Sequence, residues 1–168
     1  MGLSPSVLIR PVAPGDSLEQ ISGIYAAAWR TAYRGLVPDA YLERLDDGTW
    51  VPFLKQALED CLLLEYRGRL VGTSCALPAR DDRWSGWGEV VSLYLLPEYR
   101  GKGLGGPLLE AAVEKLNAQG FPRTYLWVLE ANLPARRFYE RHGFSPSGER
   151  TSSVLDGQEV WEVRYVRG

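Results

Sequence analysis

Residues 100–106 carry the clearest chemical signal in this chain. They read Arg-Gly-Lys-Gly-Leu-Gly-Gly and lie between an apolar, strand-like run and an apolar, helix-forming stretch at 104–118. Glycine lets the backbone approach a ligand closely, and the free N–H groups at the start of a helix attract anions. Arg100 and Lys102 add positive charge, and no Asp or Glu interrupts the run. The stretch therefore predicts a phosphate-binding turn; the alternative is a turn that needs glycine only for its backbone conformation.

The spacing of the glycines decides which phosphate ligand fits. Gly101, Gly103 and Gly106 match G-x-G-x-x-G, but in dinucleotide-binding folds that pattern follows a strand at once and opens the domain. Here Pro97 and further residues separate the strand from the glycines, and the P-loop pattern is absent. Arg-x-x-Gly-x-Gly, at residues 100–105, is the better description. A nucleotide-binding domain is the weaker alternative.

A second cluster of residues lies at 129–144. It contains Asn132, an Ala three residues later, a Phe-Tyr pair that ends at Tyr139, and a Gly-Phe pair. Together with residues 93–105, this cluster resembles the two signature motifs of the GNAT superfamily of acetyl-CoA-dependent N-acetyltransferases. The two blocks have the order and separation found in that family, so the pair is more specific than either motif alone.

The resemblance implies an α/β fold of the GNAT acyl-CoA N-acyltransferase type. In that fold, helices flank a central mixed sheet whose two central parallel strands splay apart. It also implies a single domain over residues 1–168 that moves the acetyl group of acetyl-CoA directly to a primary amine within a ternary complex. A non-catalytic acyl-CoA-binding sensor on the same fold is the alternative.

The same resemblance implies where coenzyme A is bound. Main-chain groups at 93–95 are expected to contact the cofactor, with a bulge there that frees an N–H for the thioester oxygen. The turn at 100–106 is expected to hold the pyrophosphate. The residues assigned to cofactor binding are Leu93, Tyr94, Leu95, Arg100, Gly101, Lys102, Gly103, Leu104, Gly105, Gly106, Asn132 and Tyr139.

A general base is needed because an alkyl ammonium, with an ordinary pKa of about 10.4, must lose a proton before it can attack a thioester. Glu89 is the leading candidate, since its place before the 93–105 motif resembles that of the base glutamate in the histone-acetylating branch of the family. Another branch carries its base where this chain has Trp127, so that route is closed. Glu130 is a weaker alternative, and a solvated charge at a strand end is the other interpretation of Glu89.

Tyr139 is the candidate acid for the departing thiolate. A phenol with a pKa of about 10 can donate to a thiolate whose conjugate acid has a pKa of about 8.5. Helical spacing also allows Tyr139 to be a core residue. Asn132 has two candidate roles, as a helix cap and as a hydrogen-bond partner of the pantetheine arm. Neither Cys61 nor Cys75 has an activating neighbour in sequence, which favours direct transfer over a covalent acyl-enzyme.

The acceptor side carries weaker signals. Trp29 and Tyr33 are four residues apart on one predicted helix face, in a segment that resembles the acceptor-cleft wall of a GNAT subgroup. They either flank the substrate or belong to the core. The loop that carries Trp84 could cover the acceptor. Residues 16–60 contain eight carboxylates and four basic side chains, a net −4 that favours a cationic small molecule or a protein amine.

The elements that must position these groups follow from periodicity and turn residues. Strands are predicted at 7–10, 61–66, 70–77, 87–96, 124–129, 144–149 and 159–166, and helices at 16–33, 39–45, 50–58, 104–118 and 134–142. Asp16 or Ser17 is the predicted cap of the first helix, and Asp39 that of the second. Arg67-Gly68 and Asp156-Gly157 predict tight hairpin turns.

Composition limits the class of protein. A chain of 168 residues with 45% hydrophobic content fits one domain with a substantial core. A net charge of −2 disfavours a nucleic-acid partner, and no window resembles a membrane span. Residues 1–6 do not resemble a signal peptide, so the two cysteines are expected as reduced thiols in a cytoplasmic protein. A single His argues against a metal site, and the family resemblance allows a homodimer.

Overall fold

The computed structural model describes residues 6–168. Residues 1–5 lie outside it, so the predicted single domain over residues 1–168 and the expectation that residues 1–6 are not a signal peptide fall partly outside the described residues. The strands and α-helices of the described residues are, in chain order, β1 (Val7–Pro11), α1 (Leu18–Ala32), α2 (Asp39–Glu43), α3 (Val51–Gln56), β2 (Cys61–Tyr66), β3 (Arg69–Pro78), β4 (Gly88–Leu95), α4 (Gly105–Ala118), β5 (Thr124–Leu129), α5 (Leu133–Arg141), β6 (Ser145–Leu155) and β7 (Gln158–Arg167). Short 3₁₀ turns lie at Leu58–Asp60, Asp82–Trp84 and Pro97–Tyr99.

The strands form one mixed sheet with the order β1-β2-β3-β4-β5-β7-β6. Neighbours are antiparallel except β4 and β5, which are parallel. On one face, Tyr25 of α1 and Leu54 of α3 pack against Cys75. On the other face, Leu109 and other residues of α4 pack against Ala76, because successive strand residues point to opposite sides. The predicted α/β fold, with helices on both sides of a mixed sheet, is confirmed.

The two parallel strands separate soon after they meet. Their ladder consists of Gly88 opposite Thr124 and Glu89 opposite Tyr125, although β4 continues to Leu95. Beyond Glu89 the main-chain groups on this side of β4 have no partner strand. The predicted splay is therefore present, and it opens a gap in the middle of the sheet.

A bulge in β4 lies at Val91. The register with β3 shifts between Val90 and Ser92, which leaves Val91 without a counterpart. The Ser92 hydroxyl oxygen accepts a hydrogen bond from the N–H of Cys75 at 3.0 Å and so replaces a main-chain acceptor. The bulge was predicted at 93–95, and that position is wrong because these residues pair regularly with β3.

Most other predicted elements are confirmed, with small shifts at their ends. Ser17 caps α1 by accepting a backbone N–H at 3.1 Å. Asp39 does not cap α2, because Pro38 holds the cap position and no side chain bonds there. β6 continues to Leu155, beyond the predicted end at residue 149, because its polar residues pair with β7 at an exposed edge where no apolar face is required.

The described residues also contain a pair of facing cysteines. Cys61 and Cys75 lie opposite each other on β2 and β3, and both are buried free thiols.

Between residues 6 and 168, no helix is long and apolar enough to cross a bilayer. In the same range, no three His, Cys, Asp or Glu side chains cluster as metal ligands.

Candidate active site

A cavity of about 880 Å³ occupies the gap between β4 and β5. At one end it reaches the glycine-rich turn and the start of α4. At the other end it reaches α1 and the hairpin of β6 and β7. One cavity thus connects the predicted phosphate site with the predicted acceptor wall.

The main-chain N–H groups of residues 101–106 are available to a ligand. None of them donates a hydrogen bond to another atom of the described chain. Gly101 and Gly103 both have φ of +75°, a left-handed conformation that glycine adopts without strain. A Cβ at either position would meet nothing within 4 Å, so conformation rather than space requires glycine there. Free N–H groups in a turn that leads into a helix form a concavity suited to a phosphate.

Gly105 and Gly106 are needed for a different reason. A Cβ on Gly105 would lie 3.2 Å from the Phe138 ring, and one on Gly106 would lie 2.8 Å from Nε2 of His142. The other ring nitrogen of His142 lies 2.9 Å from the Phe138 carbonyl oxygen, which fixes the ring. These two glycines therefore allow the start of α4 to pack closely against the end of α5.

Unpaired cations surround the turn. Arg100 and Arg141 line the cavity, and neither forms an ion pair with any residue in the range 6–168. Lys102 is exposed and does not line the cavity. Two guanidinium groups beside free main-chain donors fit a diphosphate, because charge-assisted hydrogen bonds to phosphate are among the strong ones.

Two main-chain N–H groups of β4 face the gap. Leu96 donates its N–H to the Val71 carbonyl at 2.8 Å, on the β3 side. Because N–H groups alternate in direction along a strand, those of Leu93 and Leu95 point to the opposite side, where β5 has diverged. Both residues line the cavity, so these N–H groups can contact a bound thioester or its pantetheine arm.

Tyr139 projects from α5 into the cavity. Its hydroxyl makes no hydrogen bond with any residue that the structure describes, so a ligand can use it. Burial raises the pKa of Tyr139 well above its ordinary value, and the neighbouring Tyr94 acts in the same direction. The phenol therefore keeps its proton throughout the neutral range, as a proton donor must.

Asn132 both caps α5 and lines the cavity. Its Oδ1 accepts the backbone N–H of Ala135 at 3.4 Å. The cap uses only the side-chain oxygen, which leaves the amide NH₂ for a ligand. The two roles expected for Asn132 are thus compatible.

Glu89 lies in the cavity wall, and both of its carboxylate oxygens accept hydrogen bonds. Oε1 accepts hydrogen bonds from the main-chain N–H and Nε of Arg80, both at 3.1 Å, and from the Tyr125 hydroxyl at 2.9 Å. Oε2 accepts from Nη2 of Arg80 at 2.7 Å. Burial alone would raise the pKa of Glu89, but the hydrogen bonds and charge of Arg80 outweigh it and lower the pKa. A carboxylate held in this way is a weak proton acceptor.

Glu130 and Trp84 lie outside the cavity. Glu130 is partly exposed and pairs with Arg150 at 3.0 Å. Trp84 packs with its ring centroid 4.1 Å from the guanidinium carbon of Arg164 and 4.6 Å from the ring of Trp87. These contacts fix the loop on the sheet, so the structure places Trp84 away from the acceptor region that the sequence assigned to it.

Trp29 and Tyr33 do line the cavity. Their rings meet edge to face with centroids 4.6 Å apart, and Nε1 of Trp29 donates to the Tyr94 hydroxyl at 2.9 Å. Burial raises the pKa of Tyr33 and of Tyr94, so both phenols stay protonated near neutral pH. The acceptor end of the cavity is thus walled by aromatic rings and hydroxyl groups.

Three charged residues of the cavity have no sequence signal that identifies them: Arg80, Arg141 and Glu162. Arg80 lies in the loop after β3 and reaches the site only because the loop folds back on Glu89. Glu162 lies in β7, and nothing in the sequence of that strand distinguishes it from a charged residue that faces solvent.

The sequence matches known acetyltransferases over most of its length. Residues 21–144 match the family model described as Acetyltransferase (GNAT) family. An uncharacterized N-acetyltransferase of Archaeoglobus fulgidus is 32% identical over 134 residues, covering 76% of this chain and 86% of that protein. The uncharacterized N-acetyltransferase YuaI of Bacillus subtilis is 29% identical over 151 residues, covering 89% and 83%.

Solved structures share the fold. The PaiA N-acetyltransferase of Thermoplasma acidophilum, solved in complex with coenzyme A, matches with a TM-score of 0.72 at 22% identity over 96% of this chain and 98% of that one. A ribosomal-protein-alanine N-acetyltransferase from Brucella melitensis matches with a TM-score of 0.71 at 20% identity over 95% and 98%. The predicted family and enzyme class are confirmed: the chain belongs to the GNAT family of acetyl-CoA-dependent N-acetyltransferases.

Proposed function

We propose that this chain acetylates a cationic primary amine, with acetyl-CoA bound along the cavity between β4 and β5. The observation that carries the proposal is the continuity of that cavity. It joins free main-chain donors at 101–106 to a free phenol at Tyr139 and to the aromatic wall at Trp29 and Tyr33. A long ligand with a diphosphate near one end and a thioester at the other suits such a site.

The diphosphate is assigned to the turn. The N–H groups of residues 101–106 donate to its oxygens, and Arg100 and Arg141 supply positive charge. The pantetheine arm passes along the open side of β4, where the N–H groups of Leu93 and Leu95 face the gap. A donor of this kind, placed where the thioester oxygen gains negative charge, can stabilise the transition state by about 3 kcal/mol.

The transfer itself is assigned to one ternary complex. The amine nitrogen attacks the thioester carbonyl carbon, the C–S bond breaks, and Tyr139 donates its proton to the sulfur. The nitrogen loses a proton as the amide forms, and that proton restores the phenol. Cys61 and Cys75 are buried and do not line the cavity, so they are not placed to form an acyl-enzyme.

The acceptor is assigned to the end of the cavity beside α1. Trp29 and Tyr33 place aromatic rings in the cavity wall there, and aromatic rings attract cations. The net −4 of residues 16–60 supports a cationic acceptor. A small amine or a lysine side chain has this chemistry.

Two measurements test the proposal. In a thermal-shift assay, acetyl-CoA at about a hundred times its Kd should raise Tm by about 5–10 °C, while NAD and ATP should leave it unchanged. Release of free thiol from acetyl-CoA with a panel of amines then separates an enzyme from an acyl-CoA-binding sensor. Binding without thiol release for any amine would support the sensor.

We also propose that the protein is cytoplasmic and that it forms a homodimer. Cys61 and Cys75 face each other as free thiols, which suits a reducing compartment. β6 forms an exposed edge of the sheet, with Val154 66% exposed, and could pair with a second copy. Light scattering of the purified chain would measure its mass directly.

A further inference from the structure

Glu162 is a cavity residue with no protein partner. It lies in β7 opposite Leu129, half-buried, with its side chain in the wall of the cavity. Its carboxylate forms no ion pair or hydrogen bond with any residue of the described part of the chain. Because charged groups are rarely buried without a partner, an unpaired carboxylate in a cavity points to a ligand of opposite charge.

The groups that face Glu162 do not neutralise it. They are Arg80 from the loop after β3, Glu89 and Tyr94 from β4, and Tyr33 from the segment after α1. Arg80 already pairs with Glu89 at 2.7 Å. Tyr33 and Tyr94 carry no charge near neutral pH, and β5 contributes only uncharged residues to the cavity.

The proton affinity of Glu162 differs from that of Glu89. Burial raises the pKa of Glu162; the charge of Arg80 opposes this shift and the charge of Glu89 adds to it. The pKa of Glu89 is lowered by its hydrogen bonds to Arg80 despite burial. Of the two carboxylates, Glu162 is therefore the stronger base, and it has free lone pairs.

We propose that Glu162 binds the ammonium group of the acceptor and removes its proton, as the general base of the transfer. The inference rests on the proposed function. The ammonium gives one proton to the Glu162 carboxylate, and its nitrogen then carries the lone pair that attacks the thioester carbon. Glu162 later releases this proton to solvent. The second proton leaves the nitrogen as the amide forms and replaces the one that Tyr139 gives to the sulfur.

The position of Glu162 also selects the acceptor. Tyr33, Tyr94 and the ring of Trp29 lie at the same end of the cavity, so an alkyl ammonium would meet one carboxylate, hydroxyl groups and an aromatic face. An aromatic amine is uncharged at neutral pH and needs neither the ion pair nor the base. The two amine classes therefore report separately on Glu162.

The test compares Glu162→Gln with Glu159→Gln. Glu159 lies on the same strand, is exposed, and bonds Nε1 of Trp161 at 2.8 Å outside the cavity. The acceptors are 1,4-diaminobutane, glucosamine, a lysine-containing peptide amide and, as the uncharged probe, an aniline. We expect Glu162→Gln to lower kcat/KM for the alkyl amines by about 100-fold at pH 7 and to remove the acidic limb of the pH profile. The aniline rate and the acetyl-CoA affinity should change by less than about threefold, and Glu159→Gln should behave as the wild type.

A stability measurement shows that the variant folds. A raised folded-state pKa means that ionised Glu162 costs stability as pH rises above 4.5, the ordinary value for this group. Glu162→Gln should therefore be at least as stable as the wild type at pH 8, and the difference should vanish below pH 4.5.

Three outcomes overturn the proposal. The first is retention of alkyl-amine activity and of the acidic limb in Glu162→Gln. The second is an equal loss of the aniline rate, which would indicate a general structural effect. The third is a wild-type enzyme that acetylates the aniline but none of the alkyl amines. If no amine of either class releases thiol although acetyl-CoA binds, the proposed function fails as well.

Discussion

Replacing Tyr139 with Phe removes one oxygen atom and separates catalysis from packing. The ring of Tyr139 packs beside Phe138 and Phe144, with centroids 5.3 and 6.0 Å away, and Phe keeps these contacts. The hydroxyl bonds to no described residue, so its removal breaks no protein hydrogen bond. We expect the free energy of unfolding to change by less than about 0.5 kcal/mol, or about 1–2 °C in Tm.

The expected catalytic effect is much larger. A positioned general acid contributes about 10²- to 10⁴-fold, so kcat should fall by at least about 100-fold, equal to about 2.7 kcal/mol of transition-state stabilisation. The affinity for acetyl-CoA should change by less than about threefold, because the proposed diphosphate and pantetheine contacts come from main-chain groups at 93–106 and from the side chains of Arg100, Arg141 and Asn132. Steady-state release of free thiol and calorimetric titration with acetyl-CoA measure the two quantities.

Tyr165 provides the matched control. Its hydroxyl donates to Glu140 at 2.6 Å and accepts from Nε of Arg136 at 3.0 Å, and it does not line the cavity. Tyr165→Phe should therefore lose about 1.5 kcal/mol or more of stability while kcat changes by less than about threefold. The assignment of Tyr139 as the acid is refuted if Tyr139→Phe keeps kcat within threefold, or if it loses acetyl-CoA affinity and stability in proportion to kcat.

Further predictions concern Glu89 and the start of α4. Glu89→Gln should be less stable than the wild type at pH 7. Because folding lowers the pKa of Glu89 below its ordinary value of 4.5, the ionised carboxylate stabilises the fold above pH 4.5, and this stabilisation is lost as the pH falls through the folded-state pKa. The difference in Tm between the two proteins should therefore shrink in acid. In the same variant the acidic limb of the pH–rate profile should move to lower pH. The negative charge of Glu89, which raises the pKa of Glu162, is gone, and Arg80, which lowers it, is no longer paired. Disappearance of the limb would instead make Glu89 the base. Gly106→Ala should lower Tm in the wild type, because the new Cβ would lie 2.8 Å from Nε2 of His142. In a His142→Ala background the same change should stabilise by up to about 1 kcal/mol through helix propensity, and an equal loss of Tm in both backgrounds would contradict the clash.

The parts of the fold that the sequence predicts well depend on local chemistry. The glycine-rich turn could be identified because positive φ at Gly101 and Gly103 and a following helix are written in adjacent residues. The turn at Asp156-Gly157 follows the same logic, since both residues have positive φ.

The bulge and the charged cavity residues depend on contacts between distant parts of the chain. The bulge lies at Val91 because the Ser92 hydroxyl meets Tyr25 of α1 at 2.9 Å and the N–H of Cys75 on β3. No pattern within β4 encodes those partners. The family resemblance placed the bulge at 93–95, at least two residues later in the strand than its position in this chain.

The base is the clearest case of information that only the folded chain contains. Glu89 stands at the position that the resemblance favours, yet Arg80 bonds to both of its carboxylate oxygens and Tyr125 to one of them. Glu162 lies in the last strand, and only the pairing of β7 with β5 brings it into the cavity. Which carboxylate is free depends on which cation the fold places beside it.

A crystal structure with acetyl-CoA bound tests the central claim most directly. The account predicts diphosphate oxygens about 3 Å from the main-chain nitrogens of residues 101–106, with the thioester sulfur beside the Tyr139 hydroxyl. A structure in which the cofactor leaves this turn empty, or in which its sulfur lies outside the gap between β4 and β5, would contradict it.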